Sequence, residues 1–85
     1  MPTSKILRKG ILAYYDSFSG FILCKVLSVN SNGRAEIEIT VSRGAYRKGE
    51  ILEFSTLNVV PRSAVKVKCG QFRILKYKII PDKGE

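Results

Sequence analysis

Histidine is absent from this sequence of 85 residues, and only seven residues are acidic. Acid–base and nucleophilic catalysis need side chains with tunable protonation, and histidine is the commonest of them. Glu36 and Glu38 share one face of a predicted strand, while Asp82 and Glu85 fall in the C-terminal tail. No paired carboxylates, phosphate-cradling glycine motif or nucleophile elbow occurs. The sequence therefore predicts no catalytic residues and no enzyme activity.

Cysteine is also scarce, since Cys24 and Cys69 are the only two. Two sulfur ligands do not complete a tetrahedral zinc site without help from nitrogen or carboxylate ligands. A cytosolic protein would keep both thiols reduced, and Cys24 lies in the apolar run FILCKVLSV, where it is expected to be a small core residue. We predict no metal and no cofactor.

Long hydrophobic runs are missing as well. No apolar stretch approaches the roughly 20 residues that a membrane-spanning helix needs. The run ILAYY near the N-terminus is too short for the apolar region of a signal peptide, and Asp16 follows it. A cytoplasmic location without membrane contact is the expectation.

Positive charge is plentiful. Fifteen Lys and Arg residues give a net charge of +8 and a pI near 9.8. Basicity of this size on a small domain favours polyanionic partners, chiefly nucleic acid. The alternative is that net charge of this magnitude only keeps a small protein soluble.

Short β-strand patterns follow one another along the chain, and no segment keeps the apolar spacing of a long helix. Six predicted strands cover residues 10–15, 20–29, 34–41, 50–55, 64–68 and 71–80. Residues 30–33, NSNG, predict a tight turn, because Asn and Gly accept the positive φ of hairpin turns. Pro61 has no amide donor and restricts Val60, so residues 56–62 predict a tight turn or a single 3₁₀ turn.

Residues 34–41 alternate strictly between apolar and polar side chains, which predicts one buried and one wet face. The predicted core includes Ala35, Ile37, Ile39 and Val41 of that segment, together with Phe54, Phe72 and Ile74. The length allows one domain, residues 1–85, with flexible ends at about 1–5 and 81–85. The edge strands of a sheet have unpaired backbone groups, and closing the sheet into a small, strongly bent barrel pairs them. The sequence therefore predicts such a barrel.

The order of these elements resembles an SH3-like barrel of the Tudor or KOW kind. The resemblance rests on the strand pair joined by NSNG, then KGEILEF, then LNVVPR before the short strand AVKVK, and it covers roughly residues 8 to 68. It implies an all-β barrel of five to six short antiparallel strands with one 3₁₀ turn near residues 56–62. The strand at 71–80 exceeds the usual five, and whether it closes the barrel or pairs with another chain stays open. Residues 43–62 are also similar to small uncharacterised phage proteins.

The candidate binding residues are cations and one tyrosine. We predict a nucleic-acid or anion site from Arg43, Tyr46, Arg47, Lys48, Arg62, Lys66, Lys68 and Arg73. If Gly70 forms a hairpin, Lys68 falls near residues 71–73 and Lys66 near residues 74–76. Like charges across a strand pair repel each other, and a bound anion relieves this repulsion. Lys76 and Lys78 have two readings, anion contact or protection of an edge strand from aggregation.

The loop at residues 42–50 is the leading part of this site. Backbone amides near Gly44 and Gly49 are free of Cβ crowding, and Arg43 and Arg47 have forked donors for a phosphate. Tyr46 either stacks on a base or packs its ring over the end of the fold.

A second candidate is an aromatic pocket made of Tyr14, Tyr15, Asp16 and Phe18. The Tudor resemblance implies that such a set can cage a methylated cation. The net charge of +8 argues against it, because this protein repels cationic peptides.

These features predict three alternative kinds of partner. They do not predict the oligomeric state. Nucleic acid or another polyanion, bound through phosphate contacts and aromatic stacking, comes first. A small anionic ligand such as a nucleotide or cyclic nucleotide comes second. An acidic protein partner, recruited or inhibited by strand addition at an open edge, comes third.

Overall fold

The computed structural model describes residues 5–17 and 20–82, and within these residues the fold is all-β. Nine strands follow in chain order: β1 (Ile6–Leu7), β2 (Leu12–Ser17), β3 (Gly20–Val29), β4 (Arg34–Ile39), β5 (Ile51–Ser55), β6 (Val59–Pro61), β7 (Val65–Lys68), β8 (Gln71–Ile74) and β9 (Lys78–Ile79). Single-turn 3₁₀ helices cover Thr56–Asn58 and Arg62–Ala64. No helix in the described ranges has the length and apolar character needed to cross a bilayer.

The main sheet has five strands in the order β5-β4-β3-β2-β6, and all its pairings are antiparallel. The strand alternation predicted for residues 34–41 explains its inner face, because Ala35, Ile37 and Ile39 are fully buried. The predicted NSNG turn is confirmed: Asn30 N–H donates to Arg34 O at 2.7 Å, and Gly33 has a φ of +89°. Cys24 is buried in the core as expected.

The five-stranded sheet is strongly curled. Tyr15 on β2 stacks on Phe54 on β5, with ring centroids 3.8 Å apart and planes 11° apart, although β3 and β4 lie between the two strands in the sheet. Only a sheet that bends round its own inner face brings these side chains together. The edge strands β5 and β6 do not pair with each other among the described residues, so the sheet stays open.

Two small sheets flank the β6 edge. The first is the parallel pair of β1 and β9, in which Ile6 faces Lys78. The second is the antiparallel hairpin of β7 and β8, joined by Cys69 and Gly70. Both turn residues have positive φ, +53° and +77°, which is the pattern of a type I′ turn. The hairpin predicted at Gly70 is therefore confirmed.

Cys69 offers a direct test of this turn. A left-handed backbone costs an L-residue such as Cys roughly 1–2 kcal/mol, and Asn tolerates it best after Gly. Because Cys69 is exposed, its replacement loses no packing. We expect Cys69→Asn to raise the free energy of unfolding by about 0.5–1 kcal/mol, measured by urea denaturation. The matched variant Cys69→Val should lower it, and equal effects of the two variants would contradict the turn assignment.

Several expectations need correction. The described chain has nine strands and one parallel pair rather than five or six antiparallel strands, and two 3₁₀ turns rather than one. Strand β4 ends at Ile39, so Val41 is exposed and not core. Phe72 and Ile74 are also exposed, because the hairpin that carries them lies against the outer face of the sheet, where Phe72 contacts Phe21, and not in the core.

The chain ends are described only in part. Lys5 O accepts from Lys78 N–H at 2.9 Å, and Asp82 N–H donates to Val29 O at 2.8 Å. The other residues of the predicted flexible ends, 1–4 and 83–85, lie outside the described residues.

Candidate anion-binding surface

The cations are unevenly divided along the chain. Residues 5–9 and 62–78 contain nine of the fifteen Lys and Arg residues and no Asp or Glu. These nine, named here the basic surface, are Lys5, Arg8, Lys9, Arg62, Lys66, Lys68, Arg73, Lys76 and Lys78. An acid-free stretch of this kind concentrates positive potential wherever the fold places it.

The fold brings residues 5–9 together with residues 62–64 and 75–79 at the β6 side of the main sheet, while the hairpin between the last two reaches Phe21 on β3. Strand β1 contacts β6 and pairs with β9. The chain leaves β6 directly into the 3₁₀ turn Arg62–Ala64 and then into β7. Leu75 N–H closes the base of the hairpin by donating to Ala64 O at 2.8 Å. Two stretches that are more than 50 residues apart in sequence therefore meet at one sheet edge.

Two open grooves lie on either side of β1 and share Ile6 in their walls. The first has a volume of about 560 Å³ and is lined by Ile6, Arg8, Ile11, Leu12, Arg62 and Ser63. The second has a volume of about 480 Å³ and is lined by Lys5, Ile6, Lys76, Tyr77, Lys78 and Ile80. Each groove combines an apolar floor with cationic side chains, whose stems cover apolar surface while their charges stay in water.

Three acidic residues lie on strands β4 and β5, and Glu50 directly precedes β5, whereas Asp16 lies on β2 and Asp82 follows β9. Glu36 on β4 is directly opposite Glu53 on β5, and Glu38 is opposite Lys25 on β3. Arg34 Nε and Glu53 Oε1 are 3.5 Å apart, the single ion pair within the described part of the chain. None of the nine cations of the basic surface is therefore neutralised by a neighbouring carboxylate there, and their field is open to a ligand.

The hairpin places like charges face to face. Lys66 is directly opposite Arg73, and Lys68 is opposite Gln71. Like charges in this position destabilise a strand pair by a few tenths of a kcal/mol or more. The sequence predicted Arg73 opposite Lys68, whereas the register places it opposite Lys66, so one like-charge pair crosses the hairpin. An anion bound between these two side chains would offset their repulsion.

The backbone amides of Arg47, Lys48 and Gly49, in the loop at residues 42–50, are hydrogen-bonded within the protein. Gly49 N–H donates to Ile39 O at 2.7 Å, so this amide is not free for a phosphate. Arg47 N–H donates to the Glu50 carboxylate at 3.1 Å, which places a negative charge inside the loop. Lys48 N–H donates to Ser42 Oγ at 2.8 Å. The glycine prediction is wrong for Gly49, because the loop uses its amides to hold its own shape.

Arg43 lies at the far end of β2 from Arg62. Its guanidinium approaches Gly20, where a Cβ built on that glycine would be 3.4 Å from one of its nitrogens. Gly20 pairs with Ser17 at one end of β2, whereas Arg62 follows Pro61, which pairs with Ala13 near the other end. The loop cations and Arg62 consequently do not form one cluster.

Tyr46 belongs to an aromatic cluster at the end of the core. Its ring is edge-on to Tyr15 at 5.6 Å and to Phe54 at 6.4 Å. Of the two predicted roles of Tyr46, base stacking and packing, these contacts agree with packing, in which the ring covers the end of the fold. Burial and the hydrogen bond with Tyr46 raise the pKa of Tyr15 to about 12. Both rings are therefore used in packing.

Three of the four residues of the predicted aromatic pocket lie on β2, and they do not all share one face of the sheet. Adjacent strand residues point to opposite faces, so Tyr15 faces the core while Tyr14 and Asp16 face outward. Tyr14 instead contacts Phe21 on β3, with ring centroids 5.9 Å apart. Phe18, the fourth predicted member, lies outside the described residues.

Four cations outside the predicted set lie in the grooves beside β1. Lys5, Arg8, Lys76 and Lys78 line the two grooves; anion contact was one of two interpretations for Lys76 and Lys78, and Lys5 and Arg8 were not predicted. The absence of any acid from residues 62–78 was a usable signal for Lys76 and Lys78. Nothing local marks Lys5 and Arg8, because their position depends on the pairing of β1 with β9.

Comparison with known proteins supplies no relative. No protein-family model matches the chain, and neither a curated protein nor a solved structure matches it.

Proposed function

We propose that this protein is a non-enzymatic nucleic-acid-binding domain that holds phosphate groups along the basic surface. The observation that carries the proposal is a group of nine cations on two acid-free segments that meet beside β1 and β6, none of which forms an ion pair within the described residues. Phosphate backbones supply most of the affinity in sequence-independent binding. The grooves beside β1 provide room for a backbone to pass between Arg8 and Arg62.

We further propose that the five-stranded sheet is a relative of the SH3-like barrel. The proposal is supported by the strand order β5-β4-β3-β2-β6 and by the 3₁₀ turn Thr56–Asn58 immediately before β6. The curl that stacks Tyr15 on Phe54 also fits a barrel-like form. The cytoplasmic location and the likeness to phage proteins stay predictions.

The test is fluorescence anisotropy with labelled DNA and RNA oligonucleotides at two salt concentrations. A protein that makes several phosphate contacts loses on the order of 100- to 1,000-fold in affinity between about 50 and 200 mM salt. We expect a loss of that size. If no DNA or RNA binds at the lower salt concentration, the proposal is wrong.

A small anionic ligand is the second candidate, because the groove that holds Arg8 and Arg62 has a volume of about 560 Å³. Pockets for small molecules span roughly 300–1,000 Å³. Calorimetry with mononucleotides separates the two functions. Saturable one-to-one binding with weak salt dependence supports the small ligand, whereas a flat trace beside tight oligonucleotide binding supports nucleic acid.

A further inference from the structure

The β7–β8 hairpin is the most exposed part of the described chain. Every residue from 66 to 74 is exposed. The hairpin is joined to the body at its base by the hydrogen bond from Leu75 N–H to Ala64 O, and higher up by the ring of Phe72, which is edge-on to Phe21 at 4.9 Å. It therefore forms a two-stranded ribbon on the surface of the fold.

The two faces of this ribbon differ in chemistry. The strand register places Val67 and Phe72 on one face, and the contact of Phe72 with Phe21 turns that face towards the body. The opposite face consists of Lys66, Lys68, Gln71 and Arg73. It presents three cations and one amide, without any carboxylate, and it points away from the body.

The dimensions of the ribbon suit one kind of partner. Two strands lie about 4.8 Å apart, and four residues span roughly 13 Å. The major groove of B-form DNA is about 12 Å wide and admits a two-stranded β-ribbon. The major groove of A-form RNA is deep and narrow, and side chains do not read it. Geometry and charge together favour duplex DNA over duplex RNA.

We propose that the β7–β8 ribbon enters the major groove of duplex DNA with its charged face towards the bases. The inference rests on the proposed nucleic-acid binding and adds the partner and the groove. Arg73 and Gln71 would hydrogen-bond to the base edges, because an Arg side chain donates to two acceptors of guanine and a Gln side chain forms two hydrogen bonds with adenine. Lys66 and Lys68 contact the phosphates on either side.

The wild-type protein provides the first test. Affinities are measured for a mixed-sequence DNA duplex of about 20 base pairs, for the RNA duplex of the same sequence, and for the single DNA strand, all at one salt concentration. We expect the DNA duplex to bind about tenfold or more tightly than the RNA duplex. A DNA duplex with 7-deazaguanine, which lacks an acceptor in the major groove, should bind several-fold more weakly than the unmodified duplex.

Variants then assign the effect to the ribbon. Arg73→Ala with Gln71→Ala should remove most of the preference for the DNA duplex, because each bidentate contact is worth roughly 5- to 100-fold. The control pair Arg47→Ala with Lys48→Ala removes two cations from the loop at residues 42–50 and should leave the preference unchanged.

The outcomes separate this inference from the proposed function. Salt-dependent binding of equal strength to DNA duplex, RNA duplex and single strand overturns the ribbon inference and leaves phosphate binding in place. Indifference to 7-deazaguanine overturns it as well. Absence of all binding removes both proposals.

Discussion

Replacing Tyr15 with alanine is expected to lower the free energy of unfolding by about 3–5 kcal/mol, the range for removing a large aromatic ring from a core. The ring stacks on Phe54 at 3.8 Å and meets Tyr46 edge-on at 5.6 Å, so one substitution breaks both contacts. Domains of this size have only about 5–15 kcal/mol of stability, and small ones lie near the lower end. The variant should be largely unfolded at moderate urea concentrations.

Tyr15→Phe is the matched control for this experiment. It keeps the stack on Phe54 and removes only the hydroxyl that bonds with Tyr46. The expected cost is about 0.5–1.5 kcal/mol, the usual net value of one hydrogen bond. Urea denaturation followed by circular dichroism measures both variants. Equal stability of Tyr15→Ala and Tyr15→Phe would show that the stack does not hold the curled sheet together.

Removing three cations from the grooves should weaken nucleic-acid binding on the order of 100-fold at about 0.1 M salt, because each lost phosphate contact costs several-fold. The variant combines Arg8→Gln, Arg62→Gln and Lys78→Gln, which line the two grooves beside β1. All three side chains lie at the groove surface rather than in the core. The fold should therefore survive, and its circular dichroism spectrum checks that it does.

The control variant removes the same amount of charge elsewhere. Lys25→Gln, Arg34→Gln and Lys48→Gln also lower the net charge by three units, but these residues lie on β3, β4 and the loop outside the basic surface. These substitutions weaken only the long-range attraction between protein and DNA, so the affinity of the control variant should fall by no more than about threefold. Comparable losses in the two variants would mean that total charge, and not its position, determines binding.

Local patterns in the sequence predicted the parts of the fold that depend on local chemistry. The alternation of Ala35, Ile37 and Ile39 marks a strand with one buried face, and Gly70 marks a hairpin turn. Strand β6 was missed because Pro61 reads as a strand breaker. In the structure β6 is an edge of the main sheet, where a missing amide donor is tolerated.

Features that depend on pairing between distant segments could not be predicted from the sequence pattern. Hydrophobicity alone predicted Phe72 and Ile74 as core, yet nothing in the pattern tells which strand pair lies on the outside of the main sheet. The same limit applies to the site. Arg62 and Arg43 are equally basic, but the pairing of β2 with β3 and β6 places them at opposite ends of β2.

The central claim is that the cations beside β1, rather than those on β3, on β4 and in the loop at residues 42–50, contact the phosphates. The most direct measurement is the slope of log binding constant against log salt concentration for duplex DNA, compared between the wild type and the Arg8, Arg62 and Lys78 variant. Each phosphate contact contributes about 0.9 to the magnitude of this slope. The slope measured for the variant, which lacks three contacts, should therefore be smaller in magnitude by about 2.7 than that of the wild type. An unchanged slope for this variant, with a shallower slope for the Lys25, Arg34 and Lys48 control, would contradict the account.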